Sequence, residues 1–127
     1  MILLDTNVLI SGSFPPVGEM GASILSRAEL EFGIRAARDG ATAAARTRRL
    51  ANLDRVLEWA PLDRAASRAY GLLAAEIHRR APAKARRTDT FIAAQAYALG
   101  VPLMTANTED FELMAHMVDI IDARGRR

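Results

Sequence analysis

The sequence predicts an α/β domain in which a mostly parallel sheet of four to five strands is covered by helices on both faces, giving three layers. Three observations predict it. The chain opens on a short uninterrupted apolar run, Ile2-Leu3-Leu4, that stops at Asp5, as expected of a strand buried on both faces. Further short apolar runs recur along the chain with helix-forming stretches between them, and strands separated by helices imply crossovers and parallel neighbours. With 127 residues, half of them hydrophobic and a quarter charged, the chain has the size and composition of one globular domain, residues 1–127, with a real core.

Each element has its own signal. Val8 to Ser13 reads as a short helical segment, ended by the loop Phe14-Pro15-Pro16-Val17-Gly18, where two prolines and a glycine break any element. Ala22 to Leu25 reads as a second strand. Ser26-Arg27-Ala28-Glu29 has capping-box spacing and would open a helix through Leu30, Phe32 and Ile34, with Gly33 a weak point, stopping near Asp39-Gly40. Ala41 to Leu57 is helix-forming, with Leu50, Leu53 and Leu57 on one stripe. Glu58 to Leu62 reads as a short strand with Pro61 near its end. Asp63 caps a helix whose buried stripe is Ala66, Tyr70, Leu73 and Ile77, ending around Ala81-Pro82. A helix from about Asp89 to Leu99 closes at Gly100, and Val101 to Thr105 follows as a buried strand. Asn107-Thr108-Glu109-Asp110 opens a helix to about Met114. Met117 to Ile121 reads as the last strand, and about 122–127 as a frayed basic tail.

Composition narrows the function. Cysteine is absent, which excludes disulfides and thiolate metal sites and is compatible with a reducing compartment. The opening apolar run lacks the preceding basic region of a signal peptide, and no apolar run approaches the roughly 18 residues that span a bilayer. A cytoplasmic protein without a membrane partner is expected. The net charge of +2 hides three cationic clusters: Arg46, Arg48 and Arg49; Arg79, Arg80, Lys84, Arg86 and Arg87; and Arg124, Arg126 and Arg127. A solvated face or tail accounts for each cluster, and contact with a polyanion, chiefly phosphate, is the functional alternative.

The acids carry the chemistry. Asp5 falls at the C-terminal end of the first strand, the edge where open α/β sheets place ligands, although a carboxylate there can simply cap the next helix. Glu29 has the capping-box reading, Asp89 a helix-start reading, and Asp110 a first-turn reading favoured by the helix dipole. Their topology points further. In a parallel sheet all strand-to-helix junctions share one edge, so Asp5, Glu29, Asn107 and Asp110 converge there, with Asp89 if its helix begins beside them. Two carboxylates about 4 Å apart repel by roughly 4 kcal/mol at a typical effective dielectric, so converging acids share protons or hold a cation. Oxygen donors without Cys or a neighbouring His suit Mg²⁺ or Mn²⁺ rather than zinc.

Four motifs then resemble one family. Leu3-Leu4-Asp5-Thr6-Asn7-Val8-Leu9-Ile10 resembles the opening of PIN-domain ribonucleases, especially VapC-type toxins of bacterial type II toxin–antitoxin systems. Ala28-Glu29-Leu30-Glu31-Phe32-Gly33 resembles the second motif, Arg87-Thr88-Asp89-Thr90-Phe91-Ile92-Ala93-Ala94 the third, and Thr105-Ala106-Asn107-Thr108-Glu109-Asp110-Phe111 the fourth. The interval from Asp5 to Glu29 is short for that family, and Asn107 stands where some members carry Asp. The resemblance implies a PIN-like three-layer fold and a Mg²⁺- or Mn²⁺-dependent endoribonuclease that hydrolyses RNA, such as tRNA or rRNA, to a 3′-hydroxyl and a 5′-phosphate. It implies Asp5, Glu29, Asp89 and Asp110 as catalytic metal ligands and Thr6, Thr105 and Asn107 as groups that orient them. Arg86 and Arg87 would contact RNA. A cognate VapB-like antitoxin and a homodimer are the implied protein partners. His78 and His116 are read as structural, and Trp59, Tyr70 and Tyr97 as core residues.

Three rivals are distinguishable. A HAD-like phosphatase needs a second Asp two residues after the first, and that position is Asn7. A receiver-type phosphoacceptor domain shares the expected strand order, but it carries an acidic pair at the first strand where this chain has one acid. A catalytically impaired PIN-fold interaction or RNA-binding module is opposed only by the retained acids.

Overall fold

Leu3 and Leu4 are both fully buried but on opposite faces of the first strand, so a layer of helices is needed on each side. The computed structural model describes residues 1–12, 14–15, 18–81 and 86–125; the expected loop at residues 16 and 17, the helix end at Pro82, and Ser13, Lys84, Arg126 and Arg127 lie outside them. Five strands form one sheet: β1 (Ile2–Leu4), β2 (Met20–Ser23), β3 (Glu58–Ala60), β4 (Leu103–Thr105) and β5 (Ile120–Asp122). Their order is β3-β2-β1-β4-β5, and every pairing is parallel. The expected sheet is therefore present, at the upper strand count and without an antiparallel member. The receiver-type order 2-1-3-4-5 is not the one found, which removes the shared topology that kept that rival open.

The helices are α1 (Thr6–Ser11), α2 (Ile24–Arg35), α3 (Gly40–Val56), α4 (Arg64–Arg80) and α5 (Arg87–Leu99), with a 3₁₀ helix at Thr108–Met114. Leu3 and Leu103 face a core built from α4, α5 and the 3₁₀ helix, with Leu73, Ile77, Ile92 and Phe111 at its centre. Leu4 and Met104 face a smaller core with Val8 and Leu9 of α1 and Leu53 of α3. These two cores make the three-layer α/β/α domain.

Several boundaries differ from the sequence reading, each for a local reason. α1 begins at Thr6, not Val8, because the Asp5 carboxylate accepts from the Thr6 N–H and caps it. β2 ends at Ser23, whose hydroxyl accepts from the Leu25 N–H at 3.0 Å, so Ile24 and Leu25 open α2 instead of finishing the strand. The expected capping box at Ser26 is thus wrong: the cap is Ser23, and Ser26 lies fully buried inside the helix. α2 ends at Arg35, and Asp39 starts the next helix by accepting from the Thr42 N–H at 2.7 Å. β4 begins later than expected because the Val101 amide still bonds to the Ala96 carbonyl of α5, and β5 because the Met117 and Val118 amides still bond to the Met114 carbonyl. The tail is ordered further than expected: Asp122 belongs to β5 and the Ala123 N–H donates to the Thr105 carbonyl.

Among the aromatics, Tyr70 stacks on Phe91 with centroids 4.0 Å apart, and Trp59 is half-buried, donating to Asp54 at 2.8 Å. Tyr97 is 41% exposed, so its expected core place is corrected: it lies on the outer side of α5, whose buried face is Ile92, Ala93 and Ala96. None of the described helices is long and apolar enough to cross a membrane.

Candidate active site

The strand order reverses direction at the pair β1 and β4, and open α/β sheets bind ligands in the crevice outside the carboxyl ends of such a pair. Asp5 immediately follows β1, and Thr105 ends β4. Asp5 is 6% exposed and Thr105 fully buried. One Asp5 oxygen, Oδ1, accepts from the Thr6 N–H at 2.8 Å. The other, Oδ2, accepts from the Thr105 hydroxyl at 2.8 Å and from the Asn7 side-chain amide at 3.3 Å. Asp5 is accordingly both a helix cap and a carboxylate aimed at the ligand edge; its two sequence readings coexist.

Asn7 ties the two strand ends together. Its Nδ2 also donates to Thr105 Oγ1 at 3.3 Å, and its Oδ1 accepts from the Ala106 N–H at 3.1 Å. The Thr105 hydroxyl further accepts from the Asn107 backbone N–H at 3.0 Å. Asn107 thus contributes through its backbone, and its side chain makes no capping bond to the 3₁₀ helix.

The other acids arrive on three separate elements. Glu29 is exposed on α2, and its Oε1 accepts from the Thr6 hydroxyl at 3.1 Å. β2 is intact between β1 and β3, so the short interval before Glu29 leaves α2 anchored. Asp89 lies half-buried in the first turn of α5, and Asp110 in the first turn of the 3₁₀ helix.

Electrostatics joins them. Burial pushes the Asp89 carboxyl up to about 6, reinforced by the negative charges of Asp5, Asp110 and Glu29 and opposed by Arg86. Burial also raises Asp5, against the Thr105 hydroxyl and the Thr6 N–H, with Glu29 and Asp110 pushing the same way. Asp5 and Asp89 therefore both feel the charges of Glu29 and Asp110. Coulombic reach is longer than coordination distance, however. Among the described residues no three His, Asp or Glu groups stand close enough to hold a metal ion. The donor set has the oxygen chemistry of a hard cation, in an open arrangement.

Arg86 and Arg87 stand exposed at the start of α5, with Arg86 acting on Asp89 by its charge. Other cations have structural tasks. Arg46 donates to the Gly33 carbonyl in the last turn of α2, where the helix dipole welcomes positive charge. Arg79 pairs with Glu76, and Arg80 donates to the Leu113 carbonyl. His116 also faces Glu76, at 3.4 Å, in keeping with its structural reading. Beside Glu29 a cleft of about 320 Å³ is lined by Ile10, Leu30, Gly33, Arg46, Arg49 and Leu50. Sequence reasoning missed two residues of the site, Asn7 and Ser26. The signals were there: Asn7 stands two residues after the first acid, and Ser26 one helical turn before Glu29.

No family model and no curated protein sequence matches the chain. Solved structures do. A chain of VapBC-5 from Mycobacterium tuberculosis, a member of the VapBC family of toxin–antitoxin systems, is 26% identical with a TM-score of 0.76, covering 94% of this chain and 96% of its own. DNA-bound VapBC from Salmonella typhimurium gives 22% identity and a TM-score of 0.81, covering 96% and 97%. FitAcB from Neisseria gonorrhoeae gives 23% and 0.77, covering 99% and 100%. The all-parallel sheet with acids gathered at its switch point defines a PIN-like domain. Within that class, the chain's fold is similar to that of chains from VapBC toxin–antitoxin complexes.

Proposed function

We propose that this chain is a metal-dependent endoribonuclease, the toxin of a toxin–antitoxin pair, hydrolysing RNA phosphodiesters with Mg²⁺ or Mn²⁺. VapC-type domains belong to the nuclease class of hydrolases. The observation that carries the reading is the arrival of four acids from four elements at one sheet edge, where Glu29 and Asp110 act by charge on both Asp5 and Asp89. Asp5, Glu29, Asp89 and Asp110 would hold the ion. Asp110 is favoured over Asn107 because its charge acts on both Asp5 and Asp89. When bound, a hard divalent cation supplies Lewis-acid activation of water and of the scissile phosphate.

The chain's own residues do the rest. Thr105 and Asn7 hold Asp5 Oδ2, and the Thr6 N–H holds Oδ1, so the carboxylate is oriented before any ligand arrives. Arg86 and Arg87, at the mouth of the site, would draw the RNA backbone by charge. No side chain of the site is required as a nucleophile.

A VapB-like antitoxin is the proposed protein partner, since the similar solved structures are toxin–antitoxin complexes. The cleft beside Glu29 has aliphatic walls for an apolar segment and a carboxylate for an inhibitory cation. A homodimer is proposed on the family resemblance.

One observation favours a second reading, a catalytically impaired PIN-fold binding module: the described acids are not spaced as a closed cation cage. Purified chain incubated with a mixed tRNA pool separates the two. The enzyme cleaves with Mg²⁺ or Mn²⁺, and EDTA, Asp5→Asn or Asp89→Asn abolishes cleavage. A folded sample inert with both metals, or full activity in either variant, supports the binding module instead.

A further inference from the structure

Ser26 sits in the interior of α2 with no exposed surface, although a serine hydroxyl is costly to bury without a partner. It does not cap its helix, a task that belongs to Ser23. Its Oγ lies 2.7 Å from the Thr6 hydroxyl across the sheet edge. Thr6 Oγ1 is in turn 3.1 Å from Glu29 Oε1. The direction of both bonds follows from proton counting. An ionised carboxylate only accepts, so the single hydroxyl proton of Thr6 goes to Glu29. The contact between Ser26 and Thr6 then has its proton on Ser26, which donates.

We infer that Ser26 is a positioning residue, the buried origin of a two-hydroxyl relay, Ser26 to Thr6 to Glu29, that fixes the exposed Glu29 carboxylate at the ligand edge. Glu29 needs such a hold more than the other acids do. It is a long, solvent-exposed side chain, and free rotation would cost conformational entropy each time it engaged a cation. Ser26 and Glu29 are three residues apart on α2, so they share one helix face, and Thr6 on the neighbouring α1 bridges them. Each bond in the chain polarises the next, which strengthens the terminal donation to the carboxylate. The assignment of Glu29 as a cation ligand rests on the function proposed above; the relay itself does not.

The test therefore has a metal-free arm and a metal arm. In EDTA, the melting temperatures of Ser26→Ala, Glu29→Ala and the double variant are measured. A relay makes the losses non-additive, the Ser26→Ala loss shrinking once Glu29 is gone; independent packing of Ser26 makes them add, and additivity overturns the relay. In the second arm, Mn²⁺ alone is titrated by calorimetry. Ser26→Ala and Thr6→Val weaken binding about tenfold, as loss of a ligand's hydrogen-bond partner does, while Thr6→Ser keeps wild-type affinity. Ser26→Ala has no further effect in a Glu29→Ala background. An unchanged affinity in folded Ser26→Ala, or an equal loss in the Glu29→Ala background, refutes the positioning of a ligand. If the wild type binds no Mn²⁺, the functional reading of Glu29 fails while the metal-free arm still decides the relay.

Discussion

Asp89 is the residue whose charge state decides most about this site. Burial and the neighbouring acids raise its carboxyl from 3.8 to about 6 in the fold. A folded state that holds a proton the unfolded chain releases loses stability as pH rises through the interval between those two values. Without metal, the protein is thus expected to melt lower at pH 7.5 than at pH 4.5 as far as this group contributes. Asp89→Asn removes that contribution. In EDTA the variant should be more stable than wild type at pH 7.5, with the gain vanishing near pH 4; paired thermal melts at the two pH values check this. Thr105→Val acts in the opposite sense. It removes a donor to a buried carboxylate while nearly preserving shape, and a loss of about 1–3 kcal/mol at neutral pH is expected by denaturant unfolding.

At the scale of elements, the glycines of β2 and α4 should respond in opposite directions. A Cβ on Gly21 would meet the Glu58 carbonyl and the Met1 sulfur, each at 3.0 Å, because β2 is pressed between β1 and β3. Gly21→Ala must push β3 aside, and a loss of about 1–3 kcal/mol is expected. Gly71 lies exposed in mid-helix with open space around it, so Gly71→Ala should add about 1 kcal/mol through helix propensity alone. Denaturant midpoints of the two variants test both signs. Gln95 shows how α5 is held: its Nε2 donates to the Ala60 and Pro61 carbonyls at the end of β3, 2.9 and 3.0 Å away. Its Oε1 has no partner among the described residues and borders a small cavity of about 50 Å³. That strap ties α5, the helix that delivers Asp89, to the end of β3.

For the whole molecule, the consequence is a trade between stability and ligand readiness. Four acids on four elements repel at one edge, and a cation that binds there stabilises the fold by mass action. Mn²⁺ should therefore raise the melting temperature of wild type more at pH 7.5 than at pH 5, where Asp89 is protonated. Asp89→Asn should lose most of that rise. An equal Mn²⁺ effect at both pH values, or in the variant, would mean that surface acids and not this edge take the ion. Most of the layer pattern behind this arrangement was legible in the residues. Strand apolarity, the Asp63 cap and the αL glycine at 100 are local signals, and each element they mark is present. Local signals also misled, as at Ser26, where capping-box spacing was imitated by a hydroxyl and an acid that share a helix face for another reason.

What the residues determined unaided is the order of the chemistry: an acid after the first strand, three more in later motifs, oxygen donors without sulfur, and alternating elements that must form a parallel sheet. These follow from composition and from contacts within a few positions along the chain. Tertiary structure alone decided the strand order, the register that leaves Asp5 buried, the Asn7 strap between β1 and β4, and the hydrogen-bonded line from Ser26 through Thr6 to Glu29. The physical reason is distance in sequence. Thr105 lies 100 positions from Asp5 and Ser26 lies 20 from Thr6, so the desolvation and hydrogen bonds that tune the site arise only when the sheet brings those segments together.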